Sequence, residues 1–182
     1  MTCRMSSRSS QLTAALNRRH ALVLGLAGTA GLAGSPATAN PAPGQPAPDF
    51  ALRALDGPTL RLRELRGQVV LLNFWATWCA PCREEMPQLT RLHTKYRAAG
   101  LTVVGVNVDD DSRNTADVAR KLGVNFPVLL DSEKQVSKLY ALSSMPSTVL
   151  IDRDGQVRHV HRGYREGFAE LYEQQIRILL KD

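Results

Sequence analysis

The sequence predicts an α/β fold in which helices cover both faces of a central mixed β-sheet, and two observations support that class. Apolar runs of strand length alternate with helical-period stretches through the first half, and the chain ends in a hairpin followed by a helix. The apolar run from Val69 also ends in Cys79-Ala80-Pro81-Cys82, and the period changes from Pro81. From there Cys82, Met86, Leu89, His93 and Tyr96 recur at spacings of 4, 3, 4 and 3, one face of a helix. With 182 residues, 43% apolar and 22% charged, the chain fits one soluble domain with a full core.

The formal charge of +6 would suggest a nucleic-acid surface, but its position argues otherwise. Arg4, Arg8, Arg18 and Arg19 lie in a leader without acidic residues, and the chain beyond residue 39 keeps 19 basic and 17 acidic residues. That leader has a positive region, an apolar stretch from Ala21 to Leu32, and Ala37-Thr38-Ala39 as a small-x-small cleavage site. Residues 1–39 therefore read as a signal peptide cleaved before Asn40, with an uncleaved anchor as the alternative. Arg18-Arg19 before a Gly-rich segment leaves twin-arginine and general export both open.

Residues 40–48, with prolines at 41, 43, 46 and 48, read as an extended linker ahead of a domain at 49–182. A hairpin follows, Phe50 to Leu52 and Thr59 to Leu62, turned at Asp56-Gly57-Pro58. The first half of the apolar run from Val69 to Cys82 is the buried strand that feeds the dithiol helix, which Gly100 caps. Leu101 to Val108 is a second buried strand, and Asp109-Asp110-Asp111 reads as a solvated turn opening a helix over Arg113 to Leu122. Phe126 to Leu130 is a short strand and Glu133 to Tyr140 a short helix. Val149 to Asp152 and Gln156 to His161 form the closing hairpin, turned by Asp152 to Gly155. The last helix carries Phe168, Leu171, Tyr172, Ile176 and Leu179 as one stripe.

Cys79 falls where the helix begins, and there unpaired N–H groups and the positive dipole end stabilise an anion. Such cysteines have pKa values lowered from ~8.5 into a range of roughly 3.5 to 7.5, so Cys79 is the expected nucleophile. Pro81 suits the first turn, and Cys82, one turn on, is the resolving thiol. Since Cys3 leaves with the leader, the mature chain keeps only this pair. A bridge over so short a loop adds little stability, which favours a redox role over a structural one. Glu85 follows Cys82 by three residues on nearly the same face: buried, it would suit proton transfer to the thiols; exposed, it is an ordinary first-turn glutamate.

Trp78-Cys79-Ala80-Pro81-Cys82 after a strand, with Met145-Pro146 before the closing hairpin, resembles the thioredoxin fold. More narrowly, Asn73 to Pro87 is similar to the TlpA/ResA-like group of exported thioredoxins. The resemblance implies that Pro146 is cis beside the disulfide, that Glu85 handles protons, and that Trp78, Ala80, Pro81 and Met145 face the substrate. Asn73 departs from cytosolic thioredoxins, which carry an aspartate there. No cofactor is implied beyond the Cys79/Cys82 couple.

The resulting expectation is a periplasmic thiol:disulfide oxidoreductase that reduces protein disulfides, such as those of apocytochrome c or copper-delivery proteins. A membrane thiol reductant of the DsbD/CcdA kind would recharge it. It is expected to be a monomer that binds no nucleic acid. Two rivals use the same cysteines: a disulfide donor of the same fold, and a non-enzymatic Cu(I) chaperone. A zinc site would need further ligands, and His159-x-His161 offers a strand pair without a third. His93 reads as a packed or exposed histidine.

Overall fold

The computed structural model describes residues 41–182. The expected signal peptide, its expected cleavage point and Cys3 lie outside the described residues. Five strands form one sheet in the order β5-β4-β3-β6-β7, with β3 (Val69–Trp75) at its centre. β3 runs parallel to β4 (Leu101–Asn107) and antiparallel to β6 (Ser147–Ile151). β5 (Val128–Leu130) extends the parallel side, and β7 (Val157–Arg162) the antiparallel side. All seven residues of β3 are buried, as a central strand covered on both faces requires.

Helix α1 (Ala80–Tyr96) and helix α4 (Phe168–Leu179) lie together, tied by Lys95 and Tyr96 to the Glu173 carboxylate. Alternation along β3 sends Asn73 toward these helices and Phe74 to the opposite face, where Phe74 meets Tyr140 at 5.2 Å between ring centroids. Tyr140 follows the short helix α3 (Gln135–Leu139) and donates its hydroxyl to the Pro48 carbonyl at 2.8 Å. β1 (Ala51–Arg53) and β2 (Thr59–Arg61) form the predicted hairpin, and Ala54 bridges to Leu129 at the β5 edge.

Several local features differ from expectation, among them the shorter β5 and α3 and a β6 that begins at Ser147. Residues 44–47 are not a free linker: Gly44 and Ala47 N–H groups donate to Val157 and Gly155 carbonyls, and Val157 N–H donates to Gln45. The closing hairpin offers an open edge there, and the proline-rich segment docks on it. The chain from Leu62 to Leu65 turns as a 3₁₀ helix where a strand end was expected, because the Asp49 carboxylate accepts from Arg63 N–H at 3.0 Å. Helix α2 is shorter than expected, Thr115–Lys121, after a 3₁₀ turn at Ser112–Asn114.

Gly105 in β4 has a packing reason to be glycine. A Cβ there would stand 3.1 Å from the Phe126 ring and 3.2 Å from Trp75 Nε1, tighter than ordinary contact. Gly105→Ala is therefore expected to destabilise by about 1 to 3 kcal/mol, the usual cost of overpacking a core. A denaturant midpoint unchanged from the parent chain would contradict this.

Candidate functional site

The end of β3 turns through Ala76-Thr77-Trp78 into Cys79, which caps α1 in an extended conformation. Cys79 N–H donates to Ala76 O at 3.2 Å, and Cys79 O accepts from Arg83 N–H at 3.2 Å. Cys82 N–H donates to Cys79 Sγ at 3.2 Å, so the sulfur holds the position of a helix-capping acceptor. Cys79 and Cys82 form a disulfide with Cα atoms 5.3 Å apart and are buried at 4% and 1% exposure. Once the bond is reduced, the capping N–H and the helix N-terminus favour a thiolate on Cys79 over one on Cys82.

The other expected site residues gather around this disulfide. Trp78 is 68% exposed beside it, Ala80 is exposed, and Pro81 is half-buried at the helix start. Met145 is half-buried and Pro146 buried, and the bond between them is cis. Ser147, next in sequence, pairs with Phe74, so the Met145-Pro146 turn sits beside the end of β3 that leads to the cysteines. Gly163 N–H, just after β7, donates to Pro146 O at 2.8 Å.

Glu85 is fully buried, which decides against the surface reading. Asn73 Nδ2 donates to its Oε2 at 2.8 Å, and the hydroxyls of Thr148 and Tyr172 donate to Oε1 at 3.0 and 2.9 Å. Burial pushes the carboxyl up to about 7, and the three donors, Tyr172 foremost, hold it from rising further. The group therefore changes charge near neutrality, one helical turn from Cys82. Thr148 and Tyr172 were not foreseen as site residues. Thr148 interrupts an apolar strand and Tyr172 sits in an apolar stripe, and a polar group turned inward needs a partner.

Asp109 also differs from its reading as part of a solvated turn. It is buried, accepts from Thr77 N–H at 3.1 Å and from Asn107 Nδ2 at 3.0 Å, and so ties β4 to the loop before Cys79. The other two carboxylates stay outside: Asp111 caps the 3₁₀ turn through Arg113 N–H, and Asp110 pairs with Lys134 at the surface. His159 and His161 share a face with ring centroids 6.2 Å apart, and His161 hydrogen-bonds Gln175 at 2.8 Å. His93 Nδ1 accepts from Val103 N–H at 3.4 Å, and burial lowers its pKa. Among the described residues, no three histidine, cysteine or carboxylate side chains converge as a metal site.

Comparison with known proteins agrees with this geometry. The AhpC/TSA family model matches residues 43–160. The chain belongs to the AhpC/TSA family. Within the AhpC/TSA family it is 40% identical over 120 residues to the thiol-disulfide oxidoreductase ResA of Geobacillus thermodenitrificans, a match covering 66% of this chain and 69% of that protein. Its fold matches a candidate thiol:disulfide interchange protein DsbE from Chlorobium tepidum with a TM-score of 0.74 and 38% identity, over 77% of this chain and 99% of that one. A secreted thiol-disulfide isomerase from Corynebacterium glutamicum matches with a TM-score of 0.67 and 27% identity, over 74% of this chain and 85% of that one. This AhpC/TSA chain has the thioredoxin-like fold and is a thiol:disulfide oxidoreductase with a Cys79–Cys82 pair.

Proposed function

We propose that the protein is an exported reductant of protein disulfides, acting in the periplasm through Cys79 and Cys82 with Glu85 as proton acceptor. The observation that carries the mechanism is the buried Glu85 carboxyl, one turn behind Cys82 and poised to change charge near neutrality. Cys79 thiolate attacks one sulfur of a substrate disulfide, and the other sulfur leaves as a thiolate. Cys82 then loses its proton to Glu85 and attacks Cys79 Sγ, which releases the second substrate thiolate. Two electrons pass to the substrate, and the enzyme is left as the Cys79–Cys82 disulfide. No cofactor beyond this couple enters the reaction.

Exposed Trp78 beside Ala80 and Pro81 offers an apolar docking surface, and the Met145-Pro146 turn offers backbone groups to an extended substrate segment. The reducing direction is supported by Ala80-Pro81 between the cysteines, which differs from the Pro-His pair of strongly oxidising relatives. Export is supported by the leader and by the secreted relative. Candidate substrates are the cysteines of apocytochrome c or of copper-delivery proteins. A reductant in an oxidising compartment must be recharged, and a membrane thiol reductant of the DsbD/CcdA kind would do so. The enzyme acts as a monomer and uses no nucleic acid.

An insulin assay tests the activity. With a dithiol reductant present, the protein is expected to accelerate precipitation of the insulin B chain well above the reductant alone. A rate equal to the reductant alone would overturn the proposal.

A further inference from the structure

We infer that Tyr172, on the C-terminal helix, is a positioning residue for the Glu85 carboxyl: its hydroxyl, with that of Thr148, makes Oε1 the oxygen that takes up and releases the proton, while Asn73 holds Oε2. The inference deepens the reading of Glu85 as the proton acceptor for Cys82, and rests on it.

The two carboxyl oxygens face different chemistry. Oε2 meets the Asn73 amide nitrogen at 2.8 Å, and an amide N–H only donates. A proton on Oε2 would confront that donor and find no acceptor. Turning the amide over would break the second bond of Asn73 Nδ2, to Thr148 Oγ1 at 2.9 Å, and move the nitrogen to where Oδ1 now lies buried without a partner. Oε1 meets two hydroxyls, Tyr172 at 2.9 Å and Thr148 at 3.0 Å. A hydroxyl both donates and accepts, so each can turn to receive the proton when Glu85 is neutral. Protonation at Oε1 thus leaves the Asn73 bonds in place.

Tyr172 is held for this task by its ring. Its centroid lies 5.0 Å from that of His161 on β7 and 5.9 Å from that of Phe168, both partly buried. The groups bonded to Glu85 come from three elements, Asn73 from β3, Thr148 from β6 and Tyr172 from α4, while Cys82 lies one turn earlier on α1. Burial raises the pKa of Tyr164, in the loop after β7, and the charges of Glu85, Glu170 and Glu84 raise it further, against Arg91. Among the groups bonded to the carboxyl, Tyr172 is the one whose hydroxyl can be deleted while its ring contacts stay.

The test is Tyr172→Phe in the full chain, reduced, with the Glu85 carboxyl followed by ¹³C NMR and the disulfide-reduction rate followed against pH. Losing a donor to the charged form raises the pKa, so both midpoints are expected to move up by about one unit. Thr148→Val, which removes the other hydroxyl on the same oxygen, is expected to move the NMR midpoint in the same direction. In a Glu85→Gln background, Tyr172→Phe should no longer move the rate profile. An NMR midpoint unchanged in Tyr172→Phe would overturn the role of Tyr172. A shifted NMR midpoint with a rate profile that Glu85→Gln leaves untouched would instead overturn Glu85 as the proton acceptor and leave the Tyr172 contact standing.

Discussion

Cys79→Ser is expected to abolish disulfide reduction, with a loss of at least about a thousandfold, because a hydroxyl at the helix N-terminus does not ionise near neutrality and cannot attack a disulfide. Cys82→Ser is expected to fail differently. Its Cys79 thiolate still attacks, but nothing displaces the substrate, so a mixed disulfide accumulates through Cys79. Mass spectrometry after reaction with a disulfide-bonded peptide separates the two: an adduct on Cys82→Ser and none on Cys79→Ser. The capping bond from Cys82 N–H to Cys79 Sγ and the helix dipole both place the anion on Cys79. An adduct found only on Cys79→Ser would reverse the assignment of the two thiols.

Glu85→Gln is expected to have the largest effect on how stability depends on pH. The carboxyl titrates at about 7 in the folded chain against 4.5 in an unfolded one, so folding favours its neutral form. That stability is fully present below pH 4.5, is lost as pH rises through 7, and is absent above it. The difference corresponds to about 3 kcal/mol. Between pH 4.5 and 8, the unfolding free energy of Glu85→Gln from denaturant titration should therefore rise by this amount relative to the parent. At pH 4.5 the two proteins should be nearly equal, since the amide oxygen of the variant side chain can accept from Asn73 while its nitrogen donates to the Thr148 and Tyr172 hydroxyls, as the protonated carboxyl does. His93, His159 and His161 have pKa values lowered mainly by burial, which costs stability as pH falls below about 6.5. They are present in both proteins, so the comparison cancels them. A constant difference across this range would contradict a buried, titrating Glu85.

The dithiol and the strand that delivers it were legible in the sequence because local pattern determines them. β3 is buried on both faces, so its run is apolar without alternation, and the change to helical spacing marks where the cysteines fall. Cys82, Met86 and Leu89 are buried as their spacing requires, while His93 and Tyr96 are only half-covered and Leu92 takes the inner place further along the helix. The position of Glu85 on the Cys82 face was legible too, but its burial was not. That depends on Thr148 and Tyr172, which lie 63 and 87 residues away and meet the carboxyl only after β6 and α4 have packed. Asp109 was hidden for a related reason. In an acidic triplet each carboxylate looks solvated, and only the return of β4 beside the end of β3 brings Thr77 N–H within reach. Residues 44–47 read as a linker because prolines form no regular element, yet their few remaining N–H and C=O groups meet the open edge at Gly155 to Val157.

The most direct test of the reducing role is the reduction potential of the Cys79/Cys82 couple in the full chain, equilibrated against defined dithiol buffers. A value near or below about −270 mV, that of cytosolic thioredoxin, is predicted for an exported reductant. A value near about −120 mV, at the strongly oxidising end, would contradict it and make the protein a disulfide donor.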